Sequence, residues 1–212
     1  MAYVLVAALL RNGAVTSNVM DLLGGARAMA DATNGRVAVL ALGAGEEKVT
    51  SELIARGADD VLTWSNRALA SWSGEAGVAA LVAAAELTSP DVILMVADSA
   101  GRDWAPRLAF RLGAGLITEA TGWKLDEGKP VFTRMVFGGK AHAVQASRRP
   151  VSVATVKPGA TRARPPDARR TGNVRPLDLA FSPSAGFPVL VETAVEAPKG
   201  PRLDDARIIV SG

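Results

Sequence analysis

The sequence predicts an α/β fold in which a mainly parallel sheet carries helices on both faces. In the first half of the chain, short apolar runs alternate with segments of helical periodicity, as in consecutive βαβ units. The stretch from Pro90 to Leu112 shows this best, because the apolar run Val92–Val96 passes through a polar turn at Asp98 into a helix-like segment. After Gly113, apolar and polar residues alternate between turn signals, which is typical of β-hairpins. These observations favour a three-layer, Rossmann-like domain with added hairpins.

Four apolar runs are predicted to form the parallel strands, with the first of them at the centre of the sheet. They are Ala2–Leu10, Arg36–Leu42, Asp60–Trp64 and Val92–Val96. The helices predicted between and after them run from Thr16 or Ser17 to Ala32, from Glu46 to Arg56, from Glu75 to Leu87, and from the turn at Asp98 to Leu112. Gly24 and Gly25 lie inside the first helix, where they either let it pack closely on the sheet or mark a break.

The second half of the domain is predicted to be rich in hairpins. Alternating or apolar runs predict strands at Leu116–Leu125, Pro130–Phe137, Lys140–Ser147, Pro150–Lys157 and Pro188–Ala197, and the start of another at Arg207–Val210. The residues Asp126–Gly128 indicate a hairpin turn. Gly138 and Gly139 favour a turn or bulge over a close approach to a ligand.

The composition excludes several classes of site. The chain has no cysteine, which rules out disulfides, thiolate catalysis and metal sites with cysteine ligands. Apolar residues make up 49% and charged residues 21% of the chain, as in a globular protein. No apolar run approaches the length of a membrane span, and Met1–Leu10 lacks the positive segment of a signal peptide, so neither membrane insertion nor a signal or transit peptide is expected.

No catalytic, cofactor-binding or metal-ligating residue is predicted. The glycine-rich dinucleotide fingerprint and the P-loop are both absent from the sequence. His142 is the one histidine, and its alternating context predicts a strand residue rather than a member of a triad or metal cluster. The carboxylate pairs Asp59–Asp60 and Asp204–Asp205 are sequence neighbours, whose side chains would point to opposite faces of a strand, so they are poor acid–base candidates.

The turn after Val92–Val96 has two interpretations. A phosphate could bind at the start of the following helix, near Asp98 and Arg102. Alternatively, the helix is capped, and Arg102 and Asp103 pair locally or contact another subunit. The second interpretation is favoured, because Asp98 and Asp103 would repel a phosphate.

The segment from Arg148 to Arg175 is basic, with eight basic residues and one acidic residue, Asp167. No aromatic side chain is interleaved to stack on nucleic-acid bases. A solvated or partner-facing segment is therefore predicted, and nucleic acid is not expected as a partner.

Several segments in order resemble one known family. They are ADSAGRDWAPRLAFRLGAGLITEAT from Ala97, VFTRMVFGGKAHAV from Val131, RPVSVATVKPGA from Arg149, RTGNV from Arg170 and DDARIIVSG from Asp204. In combination, and over essentially the whole chain, they resemble the amino-terminal domain of an electron transfer flavoprotein alpha subunit. Lys140 departs from the pattern, in which an asparagine is expected.

The resemblance implies a fold of the adenine-nucleotide-hydrolase-like type and a role as an electron carrier rather than an enzyme. It implies a heterodimer with a beta subunit that holds one FAD. Electrons would come from flavin dehydrogenases of the acyl-CoA dehydrogenase type, as in fatty acid β-oxidation, and pass towards a quinone oxidoreductase. Related nitrogen-fixation proteins share the domain. The resemblance further implies a cytoplasmic location in a bacterium, or the mitochondrial matrix in a eukaryote.

The resemblance also implies a division of the chain. Residues 1–198 would form the amino-terminal domain, and residues 199–212 the linker and first strand of a second domain that binds the flavin. We therefore expect this chain alone to hold no FAD. An α/β domain that binds or hydrolyses nucleotides remains the alternative, because one fold serves many functions.

The expected contacts with a partner lie in two places. The first is the turn with Arg102 and Asp103. The second is the tip Phe137, Gly138 and Gly139 of the hairpin segment 131–144, which is more apolar than one solvated hairpin face requires.

Overall fold

The computed structural model describes residues 2–43, 47–70, 74–182, 192, 194 and 208–211. The strands in this part of the chain are β1 (Tyr3–Leu9), β2 (Arg36–Leu42), β3 (Asp60–Trp64), β4 (Val92–Val96), β5 (Gly115–Asp126), β6 (Lys129–Val136), β7 (Ala141–Gln145), β8 (Ser152–Val156) and β9 (Asn173–Pro176). The helices are α1 (Ser17–Ala32), α2 (Glu47–Ala55), α3 (Arg67–Ala70), α4 (Gly74–Thr88) and α5 (Ser99–Leu112).

All nine strands belong to one sheet, in the order β7-β6-β5-β8-β4-β1-β2-β3-β9. In the part of this order that reads β5-β8-β4-β1-β2-β3-β9, every pair of neighbouring strands is parallel. The strand β6 is antiparallel to both of its neighbours, β5 and β7. The prediction that β1, β2, β3 and β4 are parallel strands of one sheet is confirmed, and β1 lies in the middle of the parallel part. The segment 150–157 does not extend the hairpins. Its strand, β8, lies between β5 and β4, because its five residues are all buried and suit a position covered on both faces.

Apolar side chains on the two faces of the sheet form two cores. On β1, Val4 and Val6 belong to the core that includes Leu23 of α1, whereas Leu5 belongs to the core that includes Trp104 of α5. Successive residues of a strand point to opposite faces, so an uninterrupted apolar strand requires a helix layer on each side. This is the predicted three-layer arrangement.

The strands β5, β6 and β7 form an antiparallel extension at one end of the sheet. Phe132 of β6 is only 1% exposed and joins the core on the α1 side. Further along the same hairpin, Met135, Phe137 and Val144 are exposed. The apolar excess predicted from the sequence therefore divides into a core part and a surface part.

A strap, which we define as residues 157–177, returns from β8 across α1 and α2 to the other end of the sheet. Its backbone passes so close to α1 that a Cβ at Gly24 would overlap the carbonyl oxygen of Arg162. The backbone N–H of Ala163 donates to Oδ1 of Asp21 at 2.8 Å. Both predicted interpretations of the two glycines are therefore wrong. The helix is continuous, and the glycines make room for the strap rather than for the sheet.

The strap ends in β9, which pairs in parallel with β3 and forms an edge of the sheet. The sequence did not predict this strand, because its four residues are exposed and three of them lack the apolar character of a buried strand. Backbone pairing holds it, together with Leu177, which is buried and donates its N–H to the carbonyl oxygen of Thr63 at 2.8 Å. The short helix α3 was also not predicted.

The strands predicted near the end of the chain are not found in the described residues. Most of Pro188–Ala197 lies outside them, and so does Arg207. Residues 208–211 are exposed and form no strand. A strand requires a hydrogen-bonded neighbour, and these residues have no such neighbour in the described part of the chain.

We predict that Gly24→Ala destabilises the protein, although alanine is the better helix former by about 1 kcal/mol. The added methyl group meets the backbone of Arg162, which cannot rotate away as a side chain could. Overpacking of this kind costs about 1–3 kcal/mol, and the free energy of unfolding in urea should fall accordingly. Proteolysis of the strap should become faster.

Gly122→Ala is the matched control, because a Cβ at Gly122 meets nothing within 4 Å and φ there is not positive. The control should unfold at or slightly above the wild-type urea concentration. A Gly24→Ala protein that is as stable as wild type would contradict the close packing of strap and helix.

Candidate functional site

In an open parallel sheet, ligands bind at the carboxyl ends of the strands, where the strand order diverges. Here that point lies between β1 and β4. The crevice is lined by residues that include Arg11, Thr16, Asp98, Gly101 and Trp104, and its cavity measures only about 20 Å³. That is room for about one water molecule, so a nucleotide does not fit.

The start of α5 closes this crevice. Asp98 is the N-cap, and its Oδ1 accepts a hydrogen bond from the N–H of Gly101 at 2.9 Å. The other carboxylate oxygen lies 3.7 Å from Nη2 of Arg11. A Cβ at position 101 would overlap the carbonyl oxygen of Val96, so only glycine permits so tight a turn. The helix start already holds an anionic group, which supports the capping interpretation and leaves no place for phosphate.

Arg102 and Asp103 form local ion pairs at the surface. Arg102 Nη2 lies 3.0 Å from Oε1 of Glu119 on β5, and Asp103 Oδ1 lies 2.9 Å from Nη2 of Arg107. All four side chains are well exposed, so each pair contributes at most about 1 kcal/mol to stability. Their charges are therefore free to serve recognition, and a contact with a partner stays a prediction.

The hairpin formed by β6 and β7 exposes apolar side chains at its tip and along its strands. Phe137, Gly138 and Gly139 form a turn between β6 and β7, with φ values of 53°, 65° and 91°. Phe137 is 81% exposed, and on the same hairpin Met135 is 42% and Val144 is 58% exposed. A bulky aromatic residue with positive φ is uncommon and costs conformational energy. The turn predicted at the two glycines is present, and it projects Phe137 into solvent.

The two predicted contact regions are linked through β5. Arg102 contacts β5 at Glu119, and β5 pairs along its length with β6 of the hairpin. In the described part of the chain, no hydrogen bond or ion pair joins Arg102 or Asp103 directly to the hairpin tip.

A second polar site, at the amino ends of the strands, was not predicted. Asp59 accepts from Arg27 at 2.6 Å, from Arg170 of the strap at 2.9 Å and from the N–H of Val37 at 2.8 Å. Asp59 borders a shallow cavity of about 550 Å³ together with Arg27, Arg36, Arg170 and Asn173. The prediction of a wholly solvated or partner-facing basic segment is therefore wrong in part, because arginines of the strap pair with acidic residues of the domain.

Asp60 occupies the centre of a second group of contacts. Its carboxylate accepts from the hydroxyl of Tyr3 at 2.9 Å, from Arg36 at 2.9 Å and from Asn173 of β9 at 3.0 Å. Burial alone would raise the pKa of Asp60, but the hydrogen bonds from Asn173 and Tyr3 and the nearby Arg36 outweigh it and lower the pKa. A carboxylate with a lowered pKa is a poor general base, and the contacts of Asp60 join β1, the start of β2 and β9.

The remaining candidates carry no chemistry in the described residues. His142 is exposed on β7, as predicted for a strand residue. The part of the chain that the structure describes contains no group of three or more histidine or carboxylate side chains placed to hold a metal ion. Nor does any helix in that part have the length and apolar character to cross a membrane.

Comparison with known proteins gives one consistent result. A family model for the electron transfer flavoprotein domain matches residues 4–182 of this chain. The chain belongs to the electron transfer flavoprotein family. The match covers the sheet, both helix layers, the hairpins and the strap.

Individual members of the electron transfer flavoprotein family align over most of the chain. The electron transfer flavoprotein subunit alpha of Thermoanaerobacterium thermosaccharolyticum is 34% identical over 204 residues, which cover 95% of this chain and 62% of that protein. The Bacillus subtilis subunit alpha is 28% identical over 96% of this chain and 61% of its own length. Protein FixB of Clostridium saccharobutylicum is 33% identical over 70% of this chain and 45% of its own length. The chain thus spans about three fifths of the length of the two alpha subunits.

We predict that Tyr3 ionises unusually late in the folded protein. Burial, and after it the hydrogen bond and charge of Asp60, raise the pKa of Tyr3 from 10.0 to about 12. Because the folded value lies above the unfolded one, this contribution to stability is complete below about pH 10 and is lost as the pH rises towards about 12. Tyr3 is the one tyrosine of the chain, so tyrosinate absorbance reports its ionisation directly.

Asp60→Asn should lower the midpoint of this titration, but not to the unfolded value, because burial remains. Asp31→Asn is the control, since Asp31 pairs with Arg164 and has no hydrogen bond to Tyr3. A native midpoint near 10, or equal shifts in the two variants, would show that Asp60 does not control the ionisation of Tyr3.

Proposed function

We propose that this chain is the scaffold and partner-docking domain of an electron transfer flavoprotein alpha subunit, and that the complete protein carries electrons rather than catalysing a reaction. Family membership supports the general role. The observation that carries the docking role is the group of three exposed apolar side chains on one hairpin, Met135, Phe137 and Val144, since grouped apolar exposure marks interaction sites in a way that a single exposed side chain does not.

The proposed partner is a beta-type subunit, with which the chain forms a heterodimer. The hairpin tip would bury Met135, Phe137 and Val144, and the ion pair of Arg102 with Glu119 would lie at the rim. An apolar centre with charged residues around it is the usual organisation of a protein interface. Gly138 and Gly139 would let the partner approach the backbone closely, and Asp103 would contribute charge to the same rim.

In the assembled protein, electrons would arrive from flavin dehydrogenases of the acyl-CoA dehydrogenase type and leave towards a quinone oxidoreductase. This assignment rests on the resemblance of the sequence, as does the expected location in the bacterial cytoplasm or the mitochondrial matrix. A nitrogen-fixation role is equally compatible with the relatives, which include proteins named FixB.

FAD is the proposed cofactor of the complete protein, but the crevice at the carboxyl ends of the strands does not fit it. The crevice at the strand ends is nearly filled, and Asp98 occupies the helix start that would otherwise face a pyrophosphate. We therefore assign FAD to a second domain, of which residues 199–212 would be the linker and first strand, and to the beta-type subunit. The same closed crevice argues against the alternative of a nucleotide-binding or nucleotide-hydrolysing domain.

We predict that Phe137→Asp weakens the affinity for the beta-type subunit by at least about tenfold, as expected when an anchor side chain at an interface is replaced by a charge. Because Phe137 is largely exposed, the thermal midpoint of the free chain should hardly change. Phe110→Asp is a matched control, since Phe110 is 88% exposed on α5, outside the hairpin. Calorimetric titration with the beta-type subunit measures both affinities.

Arg102→Glu tests the rim in the same assay. It places a second carboxylate next to Glu119 and should weaken the affinity for the beta-type subunit while leaving the thermal midpoint nearly unchanged. Equal affinities for wild type, Phe137→Asp and Phe110→Asp would remove the hairpin tip from the interface. A large fall in midpoint with unchanged affinity would assign Arg102 a structural role instead.

We predict that this chain alone binds FAD weakly or not at all. The reason is the closed crevice together with the absence of a phosphate-binding motif. Calorimetric titration of residues 1–212 with FAD should give no saturable heat, whereas the complete complex with the beta-type subunit should co-purify with a yellow flavin. A micromolar or tighter affinity for the isolated chain would refute the assignment of FAD to other parts of the protein.

A further inference from the structure

A basic groove lies beside the amino ends of the central strands, away from the hairpin tip and the crevice. It has a volume of about 640 Å³. One wall consists of Gly128 in the turn between β5 and β6 and of Lys129 and Pro130 at the start of β6. The other wall is the connection between β7 and β8, from Ala146 to Pro150.

Most other arginines of the described residues form ion pairs with carboxylates, and the cations of the basic groove do not. Arg27, Arg36, Arg56, Arg102, Arg107, Arg164, Arg169 and Arg170 all form ion pairs with carboxylates. Lys129, Arg148 and Arg149 are exposed, and in the described part of the chain none of them has an acidic partner within ion-pair distance. The groove thus concentrates three positive charges without an ion-pair partner, against the single carboxylate of Asp91.

The wall that carries the two arginines is held in one conformation. Ser147 Oγ accepts from the backbone N–H of Arg149 at 2.9 Å and donates to its carbonyl oxygen at 3.2 Å. Ser147 also sits directly on β5, where a Cβ at Gly115 would overlap its hydroxyl oxygen. A fixed backbone lowers the entropic cost of ordering the two guanidinium groups when a ligand binds.

We propose that the basic groove is a docking site for an acidic segment of a protein partner. Guanidinium groups bind carboxylates through paired hydrogen bonds, and Lys129 on the opposite wall adds a point charge. The small apolar side chains of Pro130, Ala146 and Pro150 offer contacts for the residues between the carboxylates. The proposal goes beyond the proposed function and does not depend on it.

Other anions suit the basic groove less well. Asp91 lines it, and its carboxylate is held in place by the backbone N–H of Tyr3 at 2.8 Å. A compact phosphate with two charges in the interior would be repelled by Asp91, whereas carboxylates spread along an extended peptide can remain at the rim. No aromatic side chain lines the groove, so nothing stacks on a nucleotide base.

The test measures peptide binding by fluorescence anisotropy. The labelled peptide has about eight residues with glutamate at alternate positions, and it is about 26 Å long when extended. The protein is the full chain of 212 residues. Reversing both arginines, with Arg148→Glu and Arg149→Glu, should weaken binding at least about tenfold. Lys129→Glu should weaken it by a smaller factor from the opposite wall.

The control variant carries Lys48→Glu and Arg111→Glu, which change the net charge equally. Both side chains are exposed, lie on α2 and α5, and have no ion pair in the described part of the chain. Its affinity should stay within about twofold of wild type, and added salt should weaken the wild-type interaction. A glutamine version of the peptide should not bind.

Three results would overturn the proposal. They are no binding of the glutamate peptide by the wild type, equal losses in the groove and control variants, and tighter binding of inorganic tripolyphosphate than of the peptide. The first two would show that the groove has no specific affinity for carboxylates, and the third would make it a phosphate site. None of them involves the beta-type subunit, so failure here leaves the proposed function intact.

Discussion

The adjacent carboxylates Asp59 and Asp60 join more parts of this domain than any other feature described above. Between them they accept hydrogen bonds from β1, from α1, from the start of β2 and from the strap and β9. The guanidinium of Arg27 is almost fully buried against Asp59. Removing one partner of such a pair leaves a buried charge uncompensated, which is costly. The fold therefore depends on this junction in a way that surface ion pairs cannot replace.

The opposite end of the strands is also closed, by a separate set of contacts. The carboxyl-end crevice is lined by residues that include Asp98, Arg11 and Trp104, and little space is left in it. A Rossmann-like sheet without an open crevice has lost the usual place for a ligand. The outer surface carries the unusual features of the described residues, which are an exposed aromatic residue at a strained turn and a groove with three cations that have no ion-pair partner there.

The sequence predicted the parallel core because burial on both faces leaves a simple signature. The apolar runs of β2, β3 and β4 were located with their observed bounds, and Asp98 was recognised as a capping residue. The strap could not be predicted in this way. Arg170 and Asp59 are 111 positions apart in the sequence, so no local sequence pattern indicates their contact. The strap contacts α1 at Gly24 through a backbone carbonyl oxygen, which any residue type would supply. The edge strand β9 is polar and relies on its neighbour for its conformation.

The strap carries the chain to the edge of the sheet that lies farthest from the hairpin tip. Since β7 and β9 are the two edges of the sheet in the described residues, the hairpin tip between β6 and β7 and the point where the chain leaves β9 are between seven and eight strand spacings apart, or about 36 Å along the sheet. Sites so distant, with no shared neighbours, respond to change almost independently. A substitution where the chain leaves β9 should therefore add independently to one at the hairpin tip, so the two edges of the sheet can be varied one at a time without disturbing each other's surface.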